Sequence, residues 1–167
     1  SAQERGDVRQ GKRILQKAGE LARIDDVDVV TSEHTREATE TVETDEILDY
    51  FEQDLTSHQA MTYLATTLTV IEPQQEATTK RIYKLYSSVA ESVVSRVKSE
   101  RKIYEFLDQL SMQGLVRSAE ENLGREGGRR YVYDITDNPR DIIAAARKSS
   151  YSDAVPSNID EMLAYHL

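Results

Sequence analysis

The sequence predicts a mainly α-helical chain that carries one small β-hairpin. Three observations point there. Apolar residues recur at three- and four-residue spacing through most of the chain, the spacing of one helix face. Two short strand-like runs, Leu115–Ala119 and Tyr131–Thr136, flank the turn Gly124-Arg125-Glu126-Gly127-Gly128-Arg129-Arg130. Composition also changes near Leu55-Thr56-Ser57, from thinly apolar and acidic to richer in core residues.

Taken in order, residues 7–24 read as a helix with Asp7 as its cap and Ile14, Leu15, Ala18, Leu21 and Ala22 on one face. Val27–Val30 interrupts the pattern, and Thr31 or Ser32 starts a second helix past Ala38 and Val42. A third short helix is expected over Asp45–Asp54, with Ile47, Leu48 and Phe51 inward. These helices are too poor in apolar residues to close a core alone, and they read as a lid that packs on something else. Residues 57–71 form the next helix, with Met61, Leu64, Ala65 and Leu68 at core spacing and Pro73 as its stop. Residues 78–90 follow, with Ile82, Leu85, Tyr86 and Val89 inward and Lys80, Arg81 and Lys84 outward. Ser99 caps a helix carrying Ile103, Phe106, Leu107 and Leu110, and Gly114 ends it. Helix, helix, helix, strand, wing, strand is winged-helix order. Pro139–Lys148 gives one more helix, and the polar tail ends in a small amphipathic turn at Ile159–Leu163.

Composition narrows the chemistry. The 167 residues suffice for one ordinary domain or two small ones. The absence of cysteine excludes disulfides, a thiol nucleophile and a cysteine-ligated zinc. No apolar run approaches the ~20 residues that span a bilayer, and no signal peptide opens the chain, so a soluble, cytoplasmic protein without membrane contact is expected. The net charge of −9 is unevenly spread. Residues 20–54 hold 13 acids against 2 bases, a balance of −11, whereas residues 78–131 hold 11 bases against 7 acids, a balance of +4. Fields at a nucleic-acid surface decay within about 8 Å at physiological salt, so the basic segment can act by itself. Arginine outnumbers lysine 14 to 7 in an acid-coated chain, a pattern of halophilic proteins.

The motifs favour binding over catalysis. Gly6-Asp7-Val8-Arg9-Gln10-Gly11-Lys12-Arg13 nearly matches a P-loop, but Arg13 stands where a Ser or Thr must hold magnesium. His34, His58 and His166 are scattered and read as structural or surface residues, and no metal or catalytic set emerges. Glycines 124, 127 and 128 permit positive φ at the wing tip, where Arg125, Arg129 and Arg130 offer guanidiniums to phosphates. Arg96, Lys98, Arg101 and Lys102 cluster at the start of the helix that a winged helix lays in the major groove. The predicted DNA-binding set is therefore Arg96, Lys98, Arg101, Lys102, Arg125, Gly127, Gly128, Arg129 and Arg130. Tyr83, Tyr86, Tyr104, Tyr131 and Tyr133 fall at structural spacing and read as core or half-buried.

The run Gly6-Asp7-Val8-Arg9-Gln10-Gly11-Lys12-Arg13-Ile14-Leu15-Gln16-Lys17-Ala18-Gly19-Glu20-Leu21-Ala22 resembles the sensor-two helix of archaeal replication initiators. These are homologues of the largest origin recognition complex subunit and of cell division control protein six. Val30-Thr31-Ser32-Glu33-His34 with Arg36 and Ala38 resembles their next lid helix, and Ser99–Leu115 with the wing resembles their winged helix. Two positions depart from the pattern: Gly11, where a small helix former is usual, and Glu126, an acid within the wing tip.

The resemblance implies a helical AAA+ lid remnant over residues 1–54, a winged-helix DNA-binding domain over 55–137, and a C-terminal helix and tail over 138–167. It implies that Arg9 is the sensor-two arginine reaching the γ-phosphate of ATP in a missing AAA+ domain. ATP or ADP with magnesium then belongs to the parent protein, and this part, lacking Walker motifs, is no enzyme and holds no cofactor. The implied function is binding of double-stranded origin DNA in replication initiation. Implied partners are that DNA, the missing AAA+ domain and the replicative helicase. Two other readings stand beside it: a winged helix that docks the helicase, and a winged-helix transcriptional regulator.

Overall fold

The computed structural model describes residues 2–166, with side chains for residues 7–125 and 127–166. It forms two compact units, residues 1–47 and 48–167. The expected fold class holds: among the described residues helices dominate and one antiparallel hairpin supplies the strands. No helix among the described residues is long and apolar enough to cross a membrane.

The first unit is built on α1 (Ala2–Ile24) and most of α2 (Ser32–Asp49). Asp7 lies inside α1 rather than at its cap, because helical backbone already runs from Ala2. Leu15, expected inward, is 70% exposed, whereas Ala18 and Ala22 are buried. Arg13 on α1 pairs with Glu46 on α2 at 3.2 Å. The start of α2 is a capping box in which histidine replaces the usual glutamate. The His34 N–H donates to Thr31 Oγ1 at 3.4 Å, and the Thr31 N–H donates to His34 Nδ1 at 3.0 Å. Nδ1 is thereby the acceptor, so Nε2 carries the proton and faces Asp25 Oδ2 at 3.1 Å. His34 is a buried structural residue, as its sequence context suggests.

The separate helix expected over Asp45–Asp54 is absent. α2 continues to Asp49 and passes into a π-helical turn over Tyr50–Asp54, whose i→i+5 spacing keeps Phe51 buried without a break in the chain. Thr56 and Gln59 form a full capping box for α3 (Ser57–Ile71), the central helix of the second unit. All residues from Ala60 to Thr69 are buried. Thr62, Thr66, Thr67 and Thr69 tolerate this because each hydroxyl donates to the carbonyl four residues earlier, at 2.7–3.0 Å.

Around α3 lie α4 (Thr79–Ala90), α5 (Glu100–Met112), the hairpin and α7 (Pro139–Lys148). Ser99 caps α5 by accepting from the Lys102 N–H, and Gly114 ends it at φ +77° with Leu115 N–H donating to Leu110 O at 3.0 Å. The strands β1 (Val116–Asn122) and β2 (Arg129–Ile135) pair from Val116↔Ile135 to Asn122↔Arg129. They run further toward the tip than the sequence predicts. Between them sits a four-residue helical turn, α6 (Gly124–Gly127). Thr78 adds a bridge to Val132, and the Tyr133 N–H donates to Ala77 O at 2.9 Å, so a third extended segment flanks β2. After α7 comes a 3-10 turn over Ser152–Ala154, and α8 (Ile159–Tyr165) closes the chain.

Candidate nucleic-acid interface

The hairpin tip shows why its glycines are needed. Gly124 and Gly128 have φ of +81° and +66°, the left-handed region that glycine enters without penalty. Gly127 departs from the expectation of positive φ: it lies in the helical turn. A Cβ there would meet Leu123 Cβ at 2.3 Å, so its role is close approach rather than turn handedness. Asn122 Oδ1 accepts from the Gly124 N–H at 3.0 Å and fixes the entry to the turn. Arg125 stands exposed at this tip, and no ion pair holds it among the described residues. The Glu126 side chain lies outside the described residues.

The other wing arginines are engaged. Arg129 pairs with Glu120 at 3.2 Å. Arg130 pairs with Glu121 at 2.8 Å and also with Glu76 across from the strand. Glu121 above all, then Glu76, raise the Arg130 pKa further and keep it charged. These are exposed or half-exposed pairs, each worth little net stability, so a phosphate can compete for the guanidiniums.

The basic cluster before and within α5 divides. Arg96 and Lys98 are exposed, and the Lys98 backbone N–H donates to the Tyr86 hydroxyl at 3.0 Å. Arg101 points into solvent, 4.0 Å from Glu105. Lys102 is half-buried: its Nζ donates to Glu105 at 2.6 Å and lies 5.5 Å from the Phe106 ring centroid. Lys102, and less strongly Arg101, hold the Glu105 carboxyl below the usual range.

Lys80, Arg129, Arg130 and Tyr131 converge with Thr78 and Glu100 on a shallow cleft of about 430 Å³. It lies where the amino ends of α4 and α5 meet the tip-side start of β2. Helix amino ends expose backbone N–H groups and a positive dipole end, so such a cleft suits phosphate oxygens. Lys80 was not among the predicted site residues. Its signal was in the sequence, since Thr78-Thr79-Lys80 puts a lysine in the first turn of a threonine-capped helix. Tyr104 corrects another expectation. The other four tyrosines of that group are buried or half-buried, but Tyr104 is 41% exposed, 5.6 Å from the Tyr131 ring. No set of acidic or histidine side chains that could hold a metal occurs among the described residues. Arg9 is exposed on α1.

The family model described as the CDC6 C-terminal winged helix domain matches residues 50–145. That of the Cdc6 AAA+ ATPase-type lid domain matches residues 1–40. The chain is 72% identical over 167 residues to ORC1-type DNA replication protein 8 of Haloarcula marismortui, covering all of this chain and 38% of that relative. ORC1-type DNA replication protein 8 of Halobacterium salinarum is 30% identical over 92% of this chain and 37% of its own length. Both relatives come from halophilic archaea. The chain thus spans less than two-fifths of the length of these relatives. A solved structure of the Aeropyrum pernix ORC1 protein in complex with DNA aligns with a TM-score of 0.64 at 21% identity, covering 84% of this chain and 36% of that one, a likeness of fold.

Proposed function

The chain belongs to the family of the CDC6 C-terminal winged helix domain, here preceded by the Cdc6-type lid, and on that premise we propose that it binds double-stranded origin DNA for a replication initiator. The observation that carries this reading is the cleft shared by Lys80, Arg129 and Arg130 at the amino ends of α4 and α5. Phosphates of one strand would enter there, Arg125 would meet the backbone or minor groove at the wing tip, and α5 would face the major groove. Arg96, Lys98 and Arg101 would add charge along the same edge, with Lys102 joining them where a phosphate displaces Glu105, and Gly127 and Gly128 would shape the tip. The lid over residues 1–54, the winged helix over 55–137 and the tail over 138–167 would then divide the work.

In the longer protein an AAA+ portion would bind ATP or ADP with magnesium. Arg9, an exposed guanidinium on α1, fits the task of sensing phosphate charge there. A second reading is favoured by the carboxylates that already occupy Arg129 and Arg130: the winged helix would dock the replicative helicase, with DNA contact incidental. The lid speaks against a free-standing transcriptional regulator, which has no use for it.

Equilibrium titration of a fluorescent duplex with the full chain separates the two readings. DNA binding predicts saturable association that Lys80→Ala weakens about equally for every duplex, because a phosphate contact carries no sequence information. No association, or association indifferent to Lys80, would favour docking.

A further inference from the structure

The solvent face of α5 does not carry the charge of a helix that only grips phosphates. Ile103, Phe106, Leu107 and Leu110 are buried. That leaves Arg101, Tyr104, Asp108 and Met112 exposed, with Glu105 at their edge; Glu100 and Gln109 are exposed too, Glu100 lining the cleft and Gln109 bonded to Gln59. Lys102 and Glu105 bond one another, so their charges cancel locally. The groups left to act are Arg101, Tyr104 and Asp108. They follow at intervals of three and four residues and so form one stripe. At 1.5 Å per residue, Arg101 and Asp108 stand about 10 Å apart along the axis, roughly three base-pair steps of 3.4 Å.

Tyr104 connects this stripe to the cation-lined cleft. Its ring lies 5.6 Å from that of Tyr131, and Tyr131 lines the cleft with Lys80, Arg129 and Arg130. A duplex whose phosphates entered the cleft would therefore bring base edges toward Tyr104 and Asp108. Asp108 is exposed and has no hydrogen-bond or ion-pair partner among the described residues. The hydrogen bond and charge of Tyr131 first, then burial and Tyr133, and least of all the Asp108 carboxylate, raise the Tyr104 pKa.

A carboxylate at this place is repelled by phosphates and cannot add backbone affinity. Its chemistry suits an amino group, and in the major groove the cytosine N4 amino group is a donor that aspartate accepts from. Resting on the duplex-binding reading, we propose that Asp108 is a specificity-determining residue of α5 that selects a cytosine in the major groove. Arg101 then lies about three base pairs away, and Tyr104 stands between them. The acid lowers affinity for DNA in general and returns part of it at the right base pair.

That combination gives a two-sided test. The full chain is equilibrated with duplexes containing a randomised core, bound molecules are sequenced, and affinities are read by anisotropy on the selected duplex and its single-position permutations. The wild type should select a G·C pair at one position. Asp108→Ala should lose discrimination there by about 5- to 150-fold, the worth of one direct base contact, while affinity for the whole pool rises a few-fold. Asp108→Asn should move the preference at that position toward A·T, since an amide pairs with adenine N6 and N7. Arg129→Ala, a backbone contact, should weaken all duplexes alike. If both Asp108 variants raise affinity uniformly and leave the selected sequence unchanged, the proposal is overturned and the duplex-binding reading survives. If the wild type retains no duplex at any salt concentration, both fall together.

Discussion

His58 ties three elements of the second unit together. Its Nδ1 lies 2.8 Å from the Tyr86 hydroxyl of α4, and its ring stacks on Phe106 of α5 with an interplanar angle of 8°. The Lys98 N–H donates to the same hydroxyl, so the Tyr86 hydroxyl is shared between the approach to α5 and His58. Burial first, and the charge of Lys98 second, hold the His58 pKa below its ordinary value. The unfolded chain takes up this proton near pH 6.5, whereas the folded chain resists it. The contribution of His58 to stability is thus complete above about pH 6.5 and is lost as pH falls through the lower folded value. Urea midpoints should fall as the pH is taken from neutral to mildly acidic. His58→Phe, which keeps a ring against Phe106, should flatten that fall. An equally steep fall in the variant would assign the pH dependence to other groups. The helix whose approach this residue anchors is the one that carries Arg101 and Asp108.

The wing concentrates its constraints in two glycines. Gly128 combines φ +66° with ψ −158°, a region open essentially to glycine alone. Gly128→Ala should cost about 1–3 kcal/mol of stability in chemical denaturation, or force the tip to rearrange with loss of duplex affinity. An unchanged denaturation midpoint together with unchanged affinity would remove the strain argument. The hairpin was legible from two runs of strand formers around glycines, and α5 from Ser99 and Gly114. The helical turn at the tip was not, since it depends on Leu123 and Gly127 meeting across the loop. Nor was the bridge from Thr78 to Val132, a contact between residues 54 apart in sequence that no local pattern announces. The break expected before Asp45 failed for a similar reason, because the buried Phe51 selects a wider helical turn over a new helix. At the candidate site, residue type revealed the arginines but not their carboxylate partners. Nor did spacing reveal that Tyr104 faces solvent: i, i+3 periodicity marks a face without saying whether another element covers it.

Across the whole molecule, charge is sorted by position in the chain. The acid-rich stretch over residues 20–54, at −11, accounts for more than the entire net charge of −9, and the cations gather near the wing and the start of α5. A duplex meeting the winged helix would experience that local surface rather than the molecular net charge, because screening confines fields to about 8 Å at physiological salt. Binding would exchange the Glu120, Glu121 and Glu76 partners of Arg129 and Arg130 for phosphates. Salt dependence reads this exchange directly. Each phosphate neutralised on duplex DNA contributes about 0.9 to the slope of log affinity against log salt. The decisive measurement is that slope for the wild type and for Arg129→Ala combined with Arg130→Ala, by anisotropy on one duplex over a range of potassium chloride. The double variant should show a slope flatter by roughly 1.8, with all duplexes weakened nearly alike. An unaltered slope would contradict the exchange and leave the wing a structural hairpin.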